Sequence, residues 1–487
     1  MMCASKSQEH VSCPLATPRI LNARLPATWR FLAIVYVVGQ AALTACTPIT
    51  PHRTVIDIPA IFPSADSSAG SRRHGYPTGD GQPTAGGVPA DSLLKNSIEE
   101  HPNYLLGFVE FDDQGWFYDR NQMLRFLKKL KEVASSDDVL LFVFVHGWKH
   151  DASDSDQNVA EFRAILDRTF QRQQSTSDDG KRRKVVGLYV GWRGLSVKPF
   201  GLKELTIFDR KNTADHVAKG SVRELFVRLA DFTVELNAPR RSGATLADAK
   251  SENKMVRTLF MGHSLGALVV FNAMSPHLID YAVESEAGKD VVPPADLIVL
   301  VNPAFEASRY EPLHRLTVDR RFSDKQRPLF ISLTAENDWA THYAFRAARG
   351  ASTVLEGYPP DTGTVKLEKE ELANHNTVGW VDRYRTHYLF LDDANHPTKA
   401  QFLKRNPAAA ATTTPCNTPV TDTSYGNVKL RHAPQENCDP NSPFWIVRVD
   451  KEIIDSHDGF FFSGTPPDVK EKPQFIDFIL DVFDSAS

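Results

Sequence analysis

The feature that most constrains this chain is a series of short segments that are apolar at nearly every position, not at every second one. Val139–Val145 reads Val-Leu-Leu-Phe-Val-Phe-Val. Tyr104–Phe111, Val185–Val190, Val256–Met261, Leu297–Val301, Leu329–Leu333 and Phe444–Val449 are similar. A strand with one wet face alternates apolar and polar residues, whereas a parallel strand covered on both faces does not. Helical patterns lie between these runs. Arg120–Val133 places Met123, Phe126, Leu127, Leu130 and Val133 on one face, and Asn158–Arg172 aligns Val159, Phe162, Ile165, Leu166 and Phe170. Val222–Leu236 and Leu265–Met274 read as further helices, and Pro473 opens a closing one through Phe483. Strands alternating with helices in this way predict an α/β fold with a mostly parallel, doubly wound sheet.

Composition removes the main alternatives. With 41% apolar residues the chain can bury a core, and one continuous apolar stretch is too few for a polytopic membrane protein. A net charge of −4 offers no broad basic surface, so no nucleic-acid partner is expected. Five cysteines without a CxxC pair exclude a disulfide scaffold and a zinc site. The apolar stretch itself runs from Phe31 to Ala45 behind Arg19, Arg24 and Arg30, too short for a comfortable membrane span and laid out like a signal peptide. Its end, Leu43-Thr44-Ala45-Cys46, resembles a bacterial lipobox. That resemblance implies cleavage before Cys46, a lipid on its thiol, and attachment to a membrane of the bacterial cell envelope; a single-pass signal anchor is the alternative. Residues 46–98, rich in Pro, Gly, Ser and Ala after the cysteine, read as a flexible tether, with the folded domain over 99–487.

The chemistry is expected at Gly262-His263-Ser264-Leu265-Gly266, between the strand ending at Met261 and the helix starting at Leu265. GxSxG alone is a weak signal. A sharp strand-to-helix turn is nonetheless where a nucleophilic serine is presented, and Gly262 and Gly266 let the backbone pinch there. With His146-Gly147-Trp148 after an earlier strand, the chain resembles the α/β-hydrolase superfamily, in its serine esterase or lipase-like branch. The resemblance covers Tyr104 to the C-terminus. It implies that the backbone N–H groups of Leu265 and Trp148 form an oxyanion hole, that His146 is structural, and that no cofactor is used.

In that fold the acid and base follow the serine in chain order. Asp338, just past the strand Leu329–Leu333, is the first choice of acid, with Glu336 and Glu306 as alternatives. His457, after Phe444–Val449, is the expected base, ahead of His375 and His387. Asp151–Asp156 lacks the glycine and glutamate of a calcium loop and reads as a helix cap, so no metal is predicted. The segment 345–443 is an insertion before the last strand, expected as a lid or a partly disordered excursion; within it Cys416 and Cys438 can pair in an exported protein. The expected function is hydrolysis of a small-molecule or lipid ester through an acyl-enzyme on Ser264. A catalytically silent envelope binding protein and an acyltransferase are the alternatives.

Overall fold

The computed structural model describes residues 50–55, 95–175, 182–194, 207–237, 256–286, 292–353, 356–357, 368–392, 397–415, 419–463 and 470–485. All belong to one compact unit, Thr47–Ser487. Eleven strands build its sheet: β1 Ile98–Glu100, β2 Tyr104–Phe111, β3 Val139–Val145, β4 Lys184–Trp192, β5 Val256–His263, β6 Leu297–Val301, β7 Phe330–Ala335, β8 His387–Leu391, β9 Thr421–Tyr425, β10 Val428–His432 and β11 Phe444–Val449. Their spatial order is β1-β2-β4-β3-β5-β6-β7-β11-β8-β10-β9. From β2 to β8 every pairing is parallel; β1 and the β9–β10 hairpin add antiparallel edges. The architecture is α/β and compatible with an α/β-hydrolase.

Two cores explain the all-apolar strands. Along β3, Val139, Leu141, Val143 and Val145 enter one cluster, with Phe126 and Leu130 of helix Arg120–Ala134 and with helices Val222–Asn237 and Leu265–Glu286. Leu140, Phe142 and Phe144 enter the other, with Phe162 and Leu166 of helix Gln157–Ser175 and with Phe475, Phe478 and Ile479 of helix Pro473–Ser485. Period-two alternation thus sends each half of the strand into a different dry layer.

Four features differ from the sequence reading. The insertion 345–443 is not a lid or excursion in its described part: it supplies β8, β9 and β10, so β11 lies inside the sheet. Short β8 contributes Tyr388 and Phe390 to a small cluster with Phe402 and Ala409, while β10 alternates buried and half-buried residues as a strand with one wetter face does. The helix after the serine continues to Glu286 through Pro276. Proline removes one backbone bond there, but Phe271, Met274, Leu278 and Ala282 are all buried in the same core and hold the helix across it. Helix Ile207–Lys219 is not legible in the sequence because, from Asp209 on, the apolar residues it buries are few and small, Ala214, Val217 and Ala218, beside the polar Arg210 and Thr213. Finally, the two ends of the stretch read as a tether are ordered. Arg53–Thr54 pairs with Lys95–Asn96, and the Arg53 guanidinium is buried against Glu99 and the Phe108 ring. Residues 1–49, with Cys46 and the leader, lie outside the described residues. No helix among the described residues is long and apolar enough to cross a membrane.

Candidate active site

Ser264 stands between β5 and the helix Leu265–Glu286 with φ +55°. The other described non-glycine residues with positive φ are Lys149 and Asn302, and all three lie in loops at the C-terminal ends of central strands. Strain of this kind survives only where surrounding structure enforces it. The enforcement is visible around the serine. Its N–H donates to the Val301 carbonyl at 3.0 Å, and its carbonyl accepts from Ala304 at 3.2 Å. A Cβ on Gly262 would lie 2.7 Å from the Gly266 carbonyl, and one on Gly266 would come closer than 3.0 Å to the carbonyls of Val145 and His146. Both glycines are therefore required for close packing of strand on helix.

The side chain of Ser264 is joined to two residues that follow it in the chain. His457 Nε2 lies 2.8 Å from Ser264 Oγ, and His457 Nδ1 lies 2.9 Å from Asp338 Oδ2. These contacts fit one neutral tautomer, with Nδ1–H donating to the carboxylate and Nε2 accepting the hydroxyl. Asp338 is fully buried and also accepts from Thr341 Oγ1 at 2.6 Å and from the Ala340 and Thr341 amides. Burial pushes its carboxyl up, but the His457 imidazole and these donors outweigh burial and hold it below the usual carboxylate range. Burial alone would lower the His457 pKa; the Asp338 carboxylate and the hydrogen bond to it raise it to about 9.

Two buried side chains hold the loop of His457 by its backbone. His263 Nε2 donates to the His457 carbonyl at 2.9 Å, and burial drives the pKa of His263 down to about 3, so it stays neutral. Asn302, just past β6 and fully buried, donates Nδ2 to the same carbonyl at 2.8 Å and to that of Ser456 at 3.2 Å. Its Oδ1 accepts from the Ala335 amide at the end of β7. Asn302 was not singled out from the sequence. The available signal was a polar residue directly after an apolar strand and before Pro303.

The loop after β3 lies against the serine: a Cβ on Gly147 would meet Ser264 Cβ at 3.0 Å and His263 Nδ1 at 2.8 Å. His146 is buried and its pKa is lowered to about 4 by desolvation. Its ring donates to the Gly147 carbonyl, accepts from the Trp192 amide and stacks on the Trp192 indole, a structural assignment throughout. Leu265 opens its helix, so its N–H has no intrahelical carbonyl. With Trp148 next in chain to Gly147, the two amides expected to face an oxyanion belong to the helix start and the loop that meet at Ser264.

The alternatives lie elsewhere. Glu336 is paired with Arg405, and Glu306 with Lys211 and Arg309. His375 bonds to Thr353, and His387 is buried beside His432 and Trp445. Asp156 caps helix Gln157–Ser175 through the Asn158 amide. His263, His457 and Asp458 place ligand atoms within 4.8 Å of one another, but both His457 nitrogens and His263 Nε2 are already engaged, leaving too few donors for a metal ion. Cys438 is disulfide-bonded, and Cys416 lies outside the described residues.

No protein-family model matches the chain, and no curated protein matches it. Among solved structures it is similar to phospholipase PlaB from Legionella pneumophila in complex with thio-NAD, at 12% identity over 53% of this chain and 47% of that one, with a TM-score of 0.24. A second structure of the same phospholipase matches at 11% identity over 61% of this chain and 50% of that one, also with a TM-score of 0.24. The chain spans about half the length of the structures it matches, and likeness at this level decides neither fold nor activity.

Proposed function

We propose that the chain is a serine hydrolase acting on carboxylic esters, with Ser264 as nucleophile, His457 as general base and then acid, and Asp338 as the group that orients the imidazole. The observation that carries this reading is the unbroken hydrogen-bonded line from Ser264 Oγ through His457 to buried Asp338, starting from a serine on a strained turn. Serine is a poor nucleophile until a base takes its proton. In the proposed reaction His457 Nε2 accepts that proton as Oγ attacks the acyl carbon. The N–H groups of Leu265 and Trp148 receive the oxyanion, each such donor being worth about 3–4 kcal/mol of barrier. Collapse expels the alcohol with the proton from His457, and water repeats the sequence to release the acid. A small-molecule or lipid ester is the substrate class this reading takes, and the lipobox-like leader would tether the enzyme to a bacterial membrane through Cys46.

The test is labelling of the purified chain with a fluorophosphonate beside Ser264→Ala. Labelling of the parent that vanishes in the variant is the expected result. A folded parent that stays unlabelled refutes the hydrolase reading and leaves a silent binding protein on the same fold.

A further inference from the structure

Asp338 also borders a cavity of about 380 Å³ whose lining includes Glu336, Trp339, Tyr343, Trp380, Arg405 and Arg448. Arg448 belongs to β11, where it pairs in register with Thr334 of β7 and Tyr388 of β8. It is only 6% exposed, an unusual place for a guanidinium. One of its Nη groups donates to the Gly379 carbonyl, and its plane covers the Trp380 ring at 3.8 Å. His342 stacks on Trp380 at 3.6 Å and must occupy the opposite face, since two groups cannot share one face at such distances. Arg448 Nε and the Thr334 hydroxyl are buried with no hydrogen-bond partner.

The charge is unmatched as well. Nearby carboxylates each have a cation of their own: Glu336 has Arg405, Asp382 has Arg385, and Asp338 has His457. None pairs with Arg448 among the described residues. Burial lowers the pKa of Arg448 to about 9, which leaves it cationic at neutral pH. A buried cation lacking both a counter-ion and a partner for one N–H is costly unless something supplies them. At the cavity rim Trp339 and Tyr343 are 67% and 59% exposed, offering apolar surface to whatever enters.

We propose that this cavity binds an oxyanion, a phosphate monoester or its equivalent, with Arg448 as its principal ligand and the Arg405–Glu336 ion pair as part of its wall. Guanidinium groups suit this task because their planar fork matches two oxygens at once. The aromatic rim adds affinity when the oxyanion carries an alkyl chain. The site is read by binding alone, so it stands or falls independently of whether Ser264 is a nucleophile.

Titration calorimetry on the full chain tests it with hexyl phosphate, inorganic phosphate and hexanol as probes. Saturable binding of a phosphate, at least tenfold weaker in Arg448→Met and absent for hexanol, is expected. Hexyl phosphate binding more tightly than inorganic phosphate assigns the site to a lipid-like headgroup, and equal affinities assign it to free phosphate. Absence of saturable binding by either phosphate, or unchanged affinity in Arg448→Met, overturns the proposal. Should Arg448→Met lose its cooperative thermal transition, Arg405→Gln at a half-exposed position replaces it. A several-fold loss for both phosphates is then expected, because the Glu336 carboxylate in the wall would lose its cation and repel the anion, and no loss overturns the assignment.

Discussion

Asn302 offers the sharpest test of how His457, the proposed base, is held. Its side chain bridges two elements: Oδ1 accepts the buried Ala335 amide at 2.9 Å, and Nδ2 donates to the His457 carbonyl at 2.8 Å. Replacement by alanine leaves the Ala335 N–H unpaired in a fully buried position, which costs about 1–3 kcal/mol. Alanine must also adopt the φ of +45° that asparagine tolerates, adding roughly 1 kcal/mol. Asn302→Ala should therefore be destabilised by about 2–4 kcal/mol, and Asn302→Gly, free of the backbone strain, by about 1 kcal/mol less. The His457 carbonyl would retain only its bond from His263. Misplacing a catalytic group by an ångström costs up to about a hundredfold in rate, so fluorophosphonate labelling of Ser264 should slow roughly 10- to 100-fold in both variants. Denaturant unfolding gives the stabilities, and stopped labelling reactions give the rates. A folded Asn302→Ala protein labelled within about twofold of the parent rate would sink the idea that this side chain positions His457.

Other outcomes follow from the same geometry. The proposed reaction needs neutral His457, so the labelling rate should rise with pH through a midpoint displaced from that of free imidazole toward about 9. Asp338→Asn should move the midpoint down, because burial then acts on the ring without the carboxylate; a midpoint unmoved by that change contradicts the assignment. Gly266→Ala drives a methyl into the Val145 and His146 carbonyls and should cost about 1–3 kcal/mol with loss of labelling. Gly350→Ala, with open space around it in helix Phe345–Ser352, should instead stabilise by about 0.5–1 kcal/mol, both read by thermal melts. Burial would raise the pKa of Glu306, but Lys211 and Arg309 lower it to about 2. Its contribution to stability is complete above the ordinary glutamate range and is lost as pH falls toward 2. Glu306→Gln should cost roughly 3 kcal/mol at pH 7 and flatten the decline between pH 5 and 2. A parallel decline in both proteins would show that the ion pairs do not carry that stability.

What could be read from the sequence was local. The all-apolar runs of β3 and β6 specify strands buried on both faces, because strand periodicity sends alternate residues to two cores. Gly262 and Gly266 specify a pinched turn at Ser264, because no Cβ fits between strand and helix there. With the serine located, the resemblance to α/β-hydrolases points to Asp338 and His457 ahead of other carboxylates and histidines, and the fold joins both to Ser264 by hydrogen bonds. The role of Asn302 was not legible, since its partner is the backbone of a residue 155 positions away. Nor was the environment of Arg448, which interrupts an apolar strand and meets Trp380 from a segment that only folding brings over it. The β8–β10 extension was not legible because β9, at the sheet edge, is polar throughout and β10 beside it has only three buried residues, so both resemble a loop. Backbone period and steric volume act between neighbours and are written along the chain. Hydrogen-bond partners and unmatched charges are properties of places, and these exist only after distant segments have packed.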